Sequence, residues 1–136
     1  MAHLQLLNLQ EQEHTQVNMA HFAKLDTDNI VTQIVVIENA VIRDHLGDEQ
    51  ESIGISFIRN LYDEPNAVWK QCSYNHNIRG HYPDIGWTYD EDDDQFYPPK
   101  PYNSWVWNND RYCWDSPIGD PTDERVTWNE ETGDWE

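Results

Sequence analysis

The sequence predicts an α+β fold, mostly β. A small antiparallel sheet carries one short helix and is followed by a C-terminal string of aromatic-clasped β-hairpins. Three observations lead there. Two β-branched runs flank an Asp/Asn turn between residues 21 and 37, one helical apolar stripe follows Glu51, and an aromatic motif recurs three times after residue 87.

The first element in chain order is a polar, Gln-rich stretch of residues 1–18, in which Leu4, Leu6, Leu7 and Leu9 are the apolar side chains available for burial. It reads as an N-terminal arm. Met19-Ala20-His21 echoes Met1-Ala2-His3, so Met19 is an alternative start. Residues 19–86 are expected to form the α+β core. Within it, residues 21–25 and 30–37 flank Asp26-Thr27-Asp28-Asn29. Asp and Asn tolerate left-handed backbone and bond to their own main chain, which predicts a hairpin.

Ile53, Phe57, Ile58 and Leu61 form a stripe at helical spacing. Acidic residues at 48, 49 and 51 suit the start of a helix, and Asp63-Glu64-Pro65 closes it, with Gly54 as a weak point inside. Residues 68–74 read as a third strand, and 75–86 as a loop.

Residues 87–136 carry the repeat. A β-branched residue precedes an aromatic, then Asn or Asp, five further residues and a second aromatic: Tyr89-Asp90 to Phe96, Trp107-Asn108 to Trp114, and Trp128-Asn129 to Trp135. An aromatic that opens a turn and one that closes it can face each other across a hairpin. Each copy is therefore expected to be a clasped hairpin, three in all. Single hairpins are marginal in water, and aliphatic residues are scarce after position 86, so the hairpins need a surface to complete them.

Composition narrows the function. Eight Lys and Arg against 26 Asp and Glu give a net charge of −18, which excludes nucleic acid and anionic membrane surfaces as partners. Cation binding and docking on a basic partner stay open. No apolar run is long enough to span a bilayer and no leader is recognisable, so synthesis in a cytosol is expected. Cys72 and Cys113 are not spaced as a redox or zinc motif and are expected to be reduced.

No nucleotide-binding, zincin, nucleophile-elbow or zinc-ribbon pattern occurs, and the carboxylates sit in charge runs without an apolar setting. The chain is not expected to be an enzyme, nor to need a cofactor. For metal, Asp90, Asp92 and Asp94 could offer oxygens to Ca²⁺, although the EF-hand glycine and terminal glutamate are missing. His76 and His81 with Cys72 form a weaker set. Trp87, Tyr102, Trp105 and Trp114 are candidates for stacking on sugar rings. Trp105, Trp107, Trp114, Trp128 and Trp135 are candidates for buried anchors in or between subunits.

Met19 to Asp26 with Asn29-Ile30-Val31, Trp69-Lys70-Gln71 with Ser73-Tyr74-Asn75, Thr88-Tyr89-Asp90, and Pro98-Pro99-Lys100-Pro101-Tyr102 with Ser104-Trp105 resemble short virion structural proteins of tailed phages infecting marine cyanobacteria. The resemblance runs from about Met19 to Glu136. It implies a virion protein made in the host cytoplasm, present in many copies or as a homo-oligomer, with other virion proteins as partners. Capsid decoration or head protrusion is the expectation. The alternatives are a tail or fibre component that binds host surface glycan, and a calcium-stabilised binding module.

Overall fold

The computed structural model describes residues 18–136. The predicted arm, apart from Asn18, lies outside the described residues. The chain divides into two units, the first ending at Tyr97 and the second running from Pro98 to Glu136. The fold is α+β, mostly β.

The first unit is built on a three-stranded antiparallel sheet of β1 (Met19–Leu25), β2 (Val31–Glu38) and β3 (Val68–Cys72), in the order β2-β1-β3. The turn between β1 and β2 forms as its residues dictate. Asp26 Oδ1 accepts from the main-chain N–H of Asp28 and Ile30, and Asn29 takes φ +63°. Pairing runs regularly from Met19↔Glu38 to Lys24↔Gln33, then slips so that Leu25 faces Val31. That bulge returns Val31 to the face that Leu25 occupies.

Both faces of the sheet are covered. Ala20, Phe22, Val35, Ile37 and Trp69 meet Ile42 and Ile58 on one face, where α1 (Glu51–Tyr62) packs. Ala23, Leu25, Val31 and Cys72 meet Tyr89 and Phe96 on the other, with Tyr82 and Trp87 against them. Each large side chain buried in this way contributes roughly 1.5–3 kcal/mol.

The helix is buried through Gly54 and Ile58, with Ile55 and Phe57 packed at the margin. Gly54 is its closest point of approach: a Cβ there would stand 2.3 Å from Phe22 Cζ and 2.9 Å from Ile42 Cγ2. The glycine that weakens the sequence pattern is therefore what lets the helix reach the sheet. At its end Asp63 adopts the left-handed conformation, and the N–H groups of Asp63 and Glu64 bond to the carbonyls of Asn60 and Arg59. Glu64 then receives Lys24 Nζ on both carboxylate oxygens, at 3.0 Å each.

The first repeat, β4 (Thr88–Asp90) with β5 (Gln95–Tyr97), belongs to this unit. The boundary falls after Tyr97, not after Gly86, because Tyr89 and Phe96 are buried against the sheet. Hydrogen bonds from Val31 N to Trp87 O and from Gly86 N to Val31 O tie the approach to this hairpin onto β2, both at 2.8 Å.

The opposite edge of the sheet is stoppered by side chains. Glu51 accepts from Gln71 N at 2.6 Å, and Arg79 Nη1 donates to Gln71 O at 2.8 Å. Both main-chain groups of this β3 residue are thus taken, which blunts strand addition there.

The second unit holds two hairpins, β6 (Val106–Asn108) with β7 (Cys113–Asp115), and β8 (Trp128–Asn129) with β9 (Asp134–Trp135). Among the described residues no helix is long and apolar enough to cross a membrane.

Candidate functional site

All three repeats fold by the same local rules. In register, Tyr89 faces Phe96, Trp107 faces Trp114, and Trp128 faces Trp135. Their ring centroids lie 5.4, 5.2 and 5.3 Å apart, the two Trp pairs edge to face. This is the geometry that aromatic quadrupoles favour, worth about 0.5–1.5 kcal/mol beyond burial.

The residue after the first aromatic shapes the turn. Asp90, Asn108 and Asn129 each accept, through Oδ1, the N–H groups two and three residues on, at 2.9 to 3.2 Å. Each loop then closes on one left-handed residue at the same position: Asp94 at φ +51°, Tyr112 at +51° and Gly133 at +68°. In the last two copies the Asn amide also reaches across the hairpin, Asn108 Nδ2 to Asp115 at 2.7 Å and Asn129 Nδ2 to Glu136 at 2.8 Å. The bond from Asn108 holds Asp115 below the usual carboxylate range.

The candidate aromatics fall into three groups. Tyr102, Trp105, Trp128 and Trp135 form one cluster, with centroid separations between 5.3 and 6.5 Å. Glu130 fastens it, accepting from Ser104 N at 3.0 Å, Ser104 Oγ at 2.6 Å and Trp128 Nε1 at 2.8 Å. Those bonds, Ser104 first and Trp128 next, depress the Glu130 pKa.

Trp107 and Trp114 stand with Tyr112 in a second group. Lys100 Nζ lies 5.2 Å from the Trp114 ring centre, and Trp114 Nε1 donates to Pro98 O at 2.8 Å. Trp87 is packed on the sheet of the first unit.

The acidic turn is committed elsewhere. Asp90 receives main-chain N–H groups, and Asp94 Oδ1 accepts from Tyr89 OH and from Arg79 Nε at 2.7 Å. Tyr89 first and Arg79 next lower the Asp94 pKa. Asp92, Asp90 and Asp94 do not converge: among the described residues no group of three or more His, Cys, Asp or Glu side chains is placed to hold a metal ion. His76 and His81 do meet, with ring centroids 4.5 Å apart, but His76 Nδ1 already accepts from Tyr82 N at 2.9 Å. Cys72 is in the core, where burial pushes its thiol up to about 12.

Two residues that organise these parts escape a reading of the sequence. Arg79 sits in an aperiodic loop, yet it grips Glu51 and Asp94, which lie far from it along the chain. Glu130 reads as one acid among many in a turn. No local pattern marks either.

No family model matches the chain, and neither curated proteins nor solved structures give a match.

Proposed function

We propose that this protein is an accessory structural protein of a phage particle, attached in many copies to the capsid as a decoration or head-protrusion protein. The observation that carries this reading is the make-up of the second unit. Its strands are only two or three residues long, its apolar side chains are largely Trp and Tyr, and Val106 and Ile118 remain 59% and 58% exposed. Hairpins this short are marginal alone in water. A surface that buries the exposed flanks would complete them, with the aromatic clusters as rigid anchors.

The resemblance to virion proteins of cyanobacterial phages supplies the setting. The acidic exterior suits it too, since copies held close together on a shell would repel one another except at their docking faces. No covalent chemistry is required of any residue in this role.

The test is co-sedimentation of the purified chain with undecorated phage capsids. Saturable binding in many copies per particle, weakened by Val106→Asp together with Ile118→Asp, is the expected result. Absence of binding would remove the capsid reading. The tail or fibre role would take its place, to be tested on host envelope polysaccharide.

A further inference from the structure

A separate feature lies in the first unit, at the end of the sheet where β1 begins and β3 ends. A cavity of about 260 Å³ opens there, lined among others by Asn39, Glu49, Gln71, Tyr74 and Asn77. Its lining is polar. Asn39 contributes to it, although its Oδ1 is itself closed to solvent. The main chain of Gln71 is tied to Glu51 and Arg79, and no bond involves its side-chain amide among the described residues.

Tyr74 stands at this cavity 67% exposed, with its ring stacked on His21 at 6.1 Å. A large, fixed aromatic ring beside convergent amides is a recognition surface with one apolar face and several directional contacts.

We infer that this cavity is a binding site for a single neutral saccharide ring. The size fits, since the volume lies just below the roughly 300–1,000 Å³ of sites for larger organic ligands and far above the share of one water, about 30 Å³. The chemistry fits as well. The Glu49 carboxylate accepts hydrogen bonds, while the side-chain amides of Gln71 and Asn77 both accept and donate them. A hydroxyl is the group that does both, and a ring bearing several of them answers such a mixed lining.

Charged ligands answer it less well. A single carboxylate, Glu49, lines the cavity, too little for a cation, and the net charge of −18 opposes an anion. Burial lowers the His21 pKa, so its imidazole is neutral at pH 7. The apolar face of the sugar would lie on Tyr74. The Cys72 thiol in the lining is held protonated by burial, so the site binds without reacting.

This site does not depend on how the protein attaches to a particle. It is tested on the full chain by adding glucose, galactose, mannose, rhamnose and N-acetylglucosamine singly, while following the side-chain amide resonances of Asn39 and Gln71 by NMR. At least one sugar should give saturable shifts with a Kd in the range of about 1 mM. Gln71→Ala and Tyr74→Ala should each weaken it about tenfold or more, with the far-ultraviolet circular dichroism of both variants unchanged.

The proposal is overturned if no sugar moves these resonances, or if the Tyr74→Ala protein binds as well as the original. It is equally overturned if only charged probes, butylammonium or acetate, produce the shifts.

Discussion

Glu51, the first residue of α1, holds the guanidinium of Arg79 with both carboxylate oxygens, at 2.6 and 3.2 Å. The same arginine donates to Asp94 in the first hairpin and to the main chain of β3. Helix, sheet edge and hairpin therefore meet on one side chain that is 15% exposed. Arg79→Leu would leave the Gln71 carbonyl without its side-chain donor and two carboxylates, Glu51 and Asp94, without their cation. It should cost about 2–3 kcal/mol, read as a shift in the urea midpoint. Arg79→Lys should recover only part, since an ammonium cannot reproduce the fork. A loss below about 0.5 kcal/mol would show that the junction is held by other contacts.

Gly54→Ala is expected to destabilise the protein although alanine is the better helix former by about 1 kcal/mol. The added methyl would overlap Phe22 and Ile42, and overpacking of this kind costs about 1–3 kcal/mol. Combining it with Phe22→Leu should give less than the sum of the two single losses. Simple additivity in thermal unfolding would mean that helix and sheet do not touch at this point.

Gly133 separates backbone from packing. A Cβ there would meet nothing within 4 Å, yet φ is +68°. Any loss on substitution is then conformational. Gly133→Val should weaken the last hairpin by about 1 kcal/mol or more, and Gly133→Asn by less. The near-ultraviolet circular dichroism of the Trp128 and Trp135 pair reports it; equal losses for both variants would contradict the argument.

Acid should unfold the protein in two stages. Burial lowers the His21 pKa, so its contribution is complete above the ordinary histidine value of about 6.5 and is lost as pH falls through the lower folded value. Asp94 and Glu130 are also depressed, Asp94 chiefly by Tyr89 and Glu130 chiefly by Ser104. Their contributions hold above the ordinary carboxylate values of about 4 and disappear below them. Melting temperatures between pH 8 and 3 should fall in both windows, and His21→Gln should shrink the upper one, to which His81, also lowered by burial, contributes the rest. A flat upper window in the unsubstituted chain would overturn this account.

Calcium at about 1 mM should leave the melting temperature unchanged, because Asp90 and Asp94 are engaged by the main chain, Tyr89 and Arg79. A rise that a chelator reverses would favour the calcium-stabilised reading.

What the sequence disclosed, it disclosed through short-range rules. The turn at Asp26 to Asn29, the helix after Glu51 and all three aromatic pairs depend on residues within about eight positions of one another, where pattern and geometry are tightly linked. The unit boundary was harder to read. The three repeats are alike locally, and only the burial of Tyr89 and Phe96 against Leu25, Val31 and Cys72 assigns the first of them to the sheet. Long-range polar contacts leave no local trace either. Arg79 to Glu51 and Glu130 to Ser104 each join segments more than twenty residues apart. The lining of the cavity at Asn39 is likewise assembled from four separate stretches.

The hairpin framework fixes four positions: two aromatics, the Asx residue and the left-handed residue. The tip residues between them serve the turn chiefly through their main-chain N–H groups, which leaves most of their side chains unassigned by it. In the last copy one of these, Glu130, has been recruited to grip Ser104, while Arg111 in the second copy pairs with Asp115 and Asp120. The three copies share a frame and differ at their tips. Such a frame allows what the hairpins touch to be altered without rebuilding how they fold.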